Sequence, residues 1–242
     1  DLAIRRCIEQ FRFAFTSEGV HREHSPCYHY FVSGMLRKCI DLIGESGQNI
    51  PVSMKNLSDK TSEFYTYILK PDGTFPKFGD CSGGKKWSPN QEYLNAHPEL
   101  QYALKDGKTG KRPSELFKVF PKSGWAIFRD KWPPDVYAAI QSDFHSFGHY
   151  QEDDTSFILN AFGHDLVIDP GLHTYDKNPI DIYMRKSRAH NVLILDDIDF
   201  NSNLANAGLS GITRFAVNKD STQKWRAVVE LTHPHYEHLG VK

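Results

Sequence analysis

The sequence predicts an α+β protein in two parts: a helical N-terminal portion, then an antiparallel β-sandwich. Three observations carry that expectation. Apolar residues recur at gaps of three and four up to Lys70. From Leu116 onward the chain breaks into short runs rich in β-branched and aromatic residues, punctuated by Gly, Pro, Asp and Asn. Between them, Gly107-Lys108-Thr109-Gly110-Lys111-Arg112-Pro113 reads as a linker, which divides the chain into residues 1–115 and 116–242.

Each element follows from local chemistry. Ile4, Ile8, Phe11 and Phe15 share one helix face, and Gly19 ends that helix. Pro26 suits the first turn of a second helix, whose stripe of Phe31, Val32, Met35, Leu36, Cys39, Ile40 and Ile43 runs to Gly44. A third begins near Pro51, carries Met54, Leu57, Thr61, Phe64 and Ile68, and stops at the turn Lys70-Pro71-Asp72-Gly73. Three amphipathic helices in a row fit a bundle or an α/α toroid. One further helix is expected from about Asn90 to Leu104. Strands are expected at Ser123–Asp130, Val136–Ser142, Thr155–Phe162, Asp165–Asp169, Asn191–Asp196, Gly211–Val217 and Trp225–Leu231.

Composition narrows the function classes. The 242 residues are ample for a core, and a net charge of −1 gives no general surface for nucleic acid. No run approaches the about 18 apolar residues of a membrane span. Tyr and Trp, 11 and 4 in number, suit a carbohydrate cleft. Cys7, Cys27, Cys39 and Cys81 form no CxxC pair, so a zinc knuckle or thioredoxin-like site is not expected, while an even count permits disulfides.

The densest chemistry lies between Phe144 and Asn191, where His145, His149, Asp153, Asp154, His164, Asp169, His173 and His190 alternate with apolar runs. Buried imidazoles and carboxylates are costly unless paired or metal-bound. The ordered motifs His145-Ser146…His149-Tyr150-Gln151-Glu152-Asp153-Asp154-Thr155-Ser156-Phe157, Ile168-Asp169-Pro170-Gly171 and Arg188-Ala189-His190-Asn191 resemble the heparinase II/III-like polysaccharide lyases. Glu23-His24-Ser25-Pro26-x-Tyr28-His29 matches a helical segment of the same family. Such lyases join an α/α toroid to a β-sandwich, with the active site between them. This chain has too few helices for a whole toroid and reads as part of a longer lyase.

The resemblance implies β-elimination on a uronic-acid polysaccharide, glycosaminoglycan- or alginate-like, in a periplasmic or secreted protein. That reaction needs a base for the C5 proton, an acid for the departing O4, and donors that hold the uronate carboxylate as charge develops. By motif position, His24 is the carboxylate-neutralising residue, with Glu23 orienting it, and His149 the catalytic histidine. In a strand, Gln151 would share the face of His149. His145 shapes the same edge, and Arg185 and Arg188 are expected contacts for polymer carboxylates. The family's acid/base tyrosine has no exact counterpart. Tyr67, just before the Lys70–Cys81 loop, is the candidate, and Tyr28, Tyr30, Tyr93, Tyr175 and Tyr183 are the other tyrosines in range.

Gln151, Asp169 and His190 stand where some members bind zinc. An amide is a poorer ligand than the usual histidine. Either zinc occupies the site as a structural ion, or Asp169 and His190 form a metal-free pair; the latter is expected, and no cofactor is needed for the chemistry. Two other readings stay open: a catalytically weak carbohydrate-binding relative, suggested by Gln151 and the missing tyrosine, and a metal-dependent hydrolase using the same cluster.

Overall fold

The computed structural model describes residues 2–84, 86–219 and 225–241. Three long helices lead: α1 (Leu2–Ala14), α2 (Pro26–Glu45) and α3 (Val52–Ile68). Their apolar stripes meet in one cluster built from Phe11, Phe15, Leu36, Ile43 and Met54. The single helix expected over 90–104 is two, α4 (Gln91–Ala96) and α5 (Pro98–Leu104). Asn90 caps the first by accepting from the Tyr93 N–H, and Pro98, which suits a first turn but not a helix interior, starts the second.

The β-rich part forms an antiparallel meander, β1 (Phe117–Phe120), β2 (Trp125–Arg129), β3 (Val136–Gln141), β4 (Phe157–Ala161) and β5 (His164–Val167), hydrogen-bonded in that order. A separate two-stranded sheet pairs β6 (Gly211–Lys219) with β7 (Trp225–Thr232). β1 and a short helix α6 (Pro179–Met184) were not foreseen. The strand expected at Asn191–Asp196 is absent. There the chain makes only an isolated bridge, Leu195 to Ile198, around Asp196 and Asp197, both at positive φ. Asn191 joins the sheet through its side chain instead, its amide donating to the Phe157 and Ile168 carbonyls at 2.8 Å each.

Helices and sheet share a core. Phe64, Tyr67 and Ile68 of α3 pack with Phe120, Trp125, Ile127, Tyr137 and Ile158. The seam is also polar. A helix end leaves carbonyls without partners, and here the sheet supplies them: Arg129 donates to the Tyr67 and Leu69 carbonyls at 2.7 and 2.6 Å, and the Tyr137 hydroxyl to Ile68 at 2.6 Å. Arg129 is buried between the rings of Trp132 and Tyr137. Burial lowers its pKa to about 10, which leaves it charged at neutral pH.

Candidate active site

Three separate segments converge beside this seam: the turn before α2, the loop after α3, and the 142–156 connection from β3 to β4. His24 and His149 both adopt left-handed backbone, at φ 55° and 54°, a costly choice for a side-chain-bearing residue that tertiary contacts must enforce. Gly79 lies between them. A Cβ there would sit 2.7 Å from the His149 carbonyl oxygen and 2.8 Å from that of His24, so only glycine permits the approach. The Asp80 N–H donates to the His149 carbonyl at 3.0 Å, and the Gly79 N–H to Asp153 Oδ2 at 2.8 Å. A disulfide between Cys27 and Cys81 fastens the first turn of α2 to the same loop. His149 therefore sits in a loop rather than in a strand, so period-two reasoning does not govern its neighbours.

His149 is the reactive-looking group. Its Nδ1 pairs with Glu23 Oε2 at 2.8 Å, and its side chain stays partly open to solvent. A carboxylate on Nδ1 fixes that nitrogen as the donor, leaving Nε2 with the lone pair of a base. Glu23 thus orients His149, not His24 as expected. The Tyr28 ring stacks on the imidazole with 3.3 Å between ring centres, and its hydroxyl shares a 3.0 Å hydrogen bond with the Tyr175 hydroxyl. Burial, the Tyr28 hydrogen bond and the Asp80 charge push the Tyr175 pKa upward. Arg185 lies over the Tyr175 ring at 5.5 Å and pairs with Asp80 Oδ1 at 2.8 Å.

Other expected site residues lie elsewhere. His24 is brought beside His149 by its backbone, but its ring is buried, stacked on Phe144 and edge-on to Tyr150, with Nε2 facing the His145 N–H at 3.4 Å. Burial lowers its pKa to about 4, so the ring is neutral and supports the loop from beneath instead of projecting into a cleft. His145 sits against Asp143 and meets His24 through its backbone. Tyr67 is not in this cluster. It is a core residue edge-on to Trp132, on the α3 face that carries Phe64 and Ile68. Arg188 is held by Asp197 and Asp199, which occupy the charge meant for substrate.

Behind His149 lies a buried acidic cluster. Ligand atoms of Asp153, Asp169 and His190 lie within 4.8 Å of one another. Asp169 Oδ2 takes hydrogen bonds from Ser156 Oγ at 2.8 Å and His190 Nδ1 at 2.9 Å. Burial, with Asp169 nearby, pushes the Asp153 carboxyl up to about 8. Burial opposes the His190 charge, but the Asp169 hydrogen bond and charge outweigh it and raise its pKa. The Gln151 amide nitrogen donates to Asp80 Oδ1 and the Gly171 carbonyl, so it braces the Asp80 loop. Asp153 Oδ1 and His190 Nε2 are buried without partners. Gln151 Oε1 is also buried without a partner. Two carboxylates and an imidazole with free atoms fit a zinc-like cation.

A second buried network, which the sequence did not single out, joins Asp154, His235 and Tyr150. His235 Nε2 lies 2.6 Å from Asp154 Oδ2 and 3.3 Å from the Tyr150 hydroxyl, and Ser210 donates to the same carboxylate oxygen. The pairing of Asp153 and Asp154, adjacent acids with opposite roles in one motif, was the signal available.

The Heparinase II/III-like C-terminal domain matches residues 112–242. A heparin-sulfate lyase of Bacteroides stercoris is 28% identical over 168 residues, covering 66% of this chain and 25% of that protein. A heparin-sulfate lyase of Pedobacter heparinus is 25% identical over 249 residues, covering 92% of this chain and 34% of that protein. The chain therefore spans about a quarter to a third of the curated relatives it matches. Among solved structures, the heparan sulfate lyase HepC from Pedobacter heparinus superposes with a TM-score of 0.74 at 22% identity, over 97% of this chain and 37% of that one. A Heparinase III gives 0.75 at 21% identity, over 94% and 38%. These two likenesses bear on the fold, whereas the domain match covers more than half of the sequence: the chain belongs to the heparinase II/III-like family.

Proposed function

We propose that the full-length protein is a polysaccharide lyase that cleaves a uronic-acid-containing glycosaminoglycan by β-elimination. The observation that carries this reading is His149, partly exposed, with Glu23 on Nδ1 and Nε2 free among the described residues, next to a tyrosine pair. A base of this kind takes the C5 proton without placing another negative charge beside the uronate. Arg185, over the Tyr175 ring and partly exposed, is the proposed cation for the substrate carboxylate, through the part of its guanidinium that does not face Asp80. The relatives' names favour heparan sulfate over alginate within the uronate polymers.

The reaction as derived calls on no metal. Asp153, Asp169 and His190 would hold zinc as a brace beneath His149. The three long helices are the portion of an α/α toroid that faces the sandwich, with the boundary near residue 115, and the two sheets belong to that sandwich. A disulfide between Cys27 and Cys81 supports a periplasmic or secreted location, since such bonds persist in oxidising compartments. Among the described residues no helix is long and apolar enough to cross a membrane.

The test is incubation of the full-length protein with heparan sulfate, chondroitin, hyaluronan and alginate. A lyase leaves a C4–C5 double bond, so ultraviolet absorbance of the unsaturated product should rise, most with heparan sulfate. New reducing ends without that absorbance would mean hydrolysis. Binding without either product would mean a carbohydrate-binding relative, the reading that Gln151 and the missing acid/base tyrosine had favoured.

A further inference from the structure

We propose that Tyr175, backed by Tyr28, is the acid that protonates the departing O4 oxygen. This rests on the lyase reading and fills the place that Tyr67, locked in the core, cannot take. Tyr175 is 55% exposed, so its ring is open to a polymer, whereas Tyr67 is 3% exposed. The Tyr175 hydroxyl meets the Tyr28 hydroxyl at 3.0 Å, and the Tyr28 ring lies on His149. Base and acid thus stand on one continuous patch drawn from both halves of the fold. The Arg185 guanidinium above the Tyr175 ring stabilises the phenolate as it forms. Burial, the Tyr28 hydrogen bond and Asp80 keep the phenol protonated in the resting protein, so Tyr175 enters the step carrying its proton.

The step balances. His149 Nε2 takes the C5 proton, and the C5–H electron pair becomes the second bond of C4=C5. The C4–O4 bond breaks with its pair going to O4, which receives the Tyr175 proton. The Tyr175 phenolate is reprotonated by the Tyr28 hydroxyl, itself resupplied from solvent, and His149 releases its proton to solvent. Tyr28 is a positioning and relay residue in this scheme, while Tyr175 touches the substrate.

The test uses the full-length protein with Tyr175→Phe, Tyr28→Phe and His149→Ala, each shown by thermal melting to fold as the wild type does. Two substrates are compared, the polymer and a uronate bearing a nitrophenoxy group at C4, which departs without needing a proton. On the polymer, Tyr175→Phe should lower kcat by about 10²–10⁴-fold with little change in KM. Tyr28→Phe should lower kcat less. On the nitrophenoxy substrate Tyr175→Phe should recover to near the wild-type rate, while His149→Ala should stay inactive. Wild-type turnover of the polymer by Tyr175→Phe would overturn the assignment of the acid and leave the lyase reading standing. Equal loss on both substrates would also overturn it, by making the ring structural. A wild-type protein that forms no unsaturated product would sink the lyase reading and this assignment together.

Discussion

His149–Glu23 and His190–Asp169 are the same chemical pair in two settings. In each, Nδ1 meets a carboxylate oxygen, at 2.8 Å and 2.9 Å respectively. The first lies in a loop with its histidine partly exposed, and the second has no exposed side-chain surface on either partner. His235–Asp154, wholly buried, is a related pair made through Nε2 instead. Burial decides what such a pair does. An exposed pair leaves one imidazole nitrogen to a reactant, whereas a buried pair exchanges no proton with substrate and costs stability when either half is lost. Within residues 144–191, His149 is the paired histidine that lies against the tyrosines and His190 belongs to the buried layer, while the exposed His173 forms another pair, with Asp181.

The largest expected effect falls on the exposed pair. His149→Ala should reduce turnover by about 10²–10⁴-fold, with the melting temperature unchanged. Next comes the tether that holds the site's loops together. Reducing the Cys27–Cys81 bond, which closes a loop of 54 residues, should cost about 2–4 kcal/mol, read as a drop in urea midpoint on adding reductant.

The buried pair should show the opposite signature to His149. Asp169→Ala and His190→Ala should each destabilise by about 1–3 kcal/mol in thermal melts. Melts with and without chelator then separate a zinc brace from a metal-free pair. A chelator-induced drop in wild type that vanishes in His190→Ala assigns the ion to this cluster, and no drop assigns the brace to the pair alone.

A further effect is graded with pH. His21 and His24 are lowered by burial to about 4, and His29 lies well below its usual value for the same reason. The unfolded chain takes up these protons near pH 6.5, while in the folded chain His21 and His24 do not until about pH 4 and His29 only well below pH 6.5. Stability is therefore fully present above pH 6.5 and falls as pH drops toward 4, by up to about 1.4 kcal/mol per unit for each histidine. Urea midpoints at pH 7 and pH 5 measure this loss. Equal midpoints would show that these rings are charged or solvated.

Much of this arrangement was legible in the residue pattern. Most of the stripes of α1, α2 and α3 meet in the cluster around Leu36 and Met54 or in the core shared with the sheet, since a 3.6-residue period needs only local spacing. Phe31 and Met35 of the α2 stripe, however, are exposed. Periodicity also held the answer on Tyr67. It lies three residues after Phe64 and beside Ile68, on the buried face, but nearness in sequence to the Lys70–Cys81 loop outweighed that sign. Gln151 entered the metal set by its motif position, and the fold adds a second carboxylate, Asp153, that the motif alone did not assign to the cluster. The Asn191–Asp196 run has strand-like side chains, yet a turn at Asp196-Asp197 and the Asn191 side-chain bonds win. Four scattered cysteines allow three pairings when all are bridged, so the Cys27–Cys81 bond could not be read from spacing. The Tyr28–Tyr175 contact, spanning 147 positions, exists only in the folded chain.

The most direct test sets His149→Ala beside His190→Ala, measuring unsaturated product from heparan sulfate and the melting temperature of each, at a temperature where both are folded. A clean crossing is expected: His149→Ala keeps its melting temperature and loses turnover, while His190→Ala melts lower and keeps kcat within a few-fold of wild type. An active His149→Ala, or a His190→Ala that melts normally but is inactive, would contradict it.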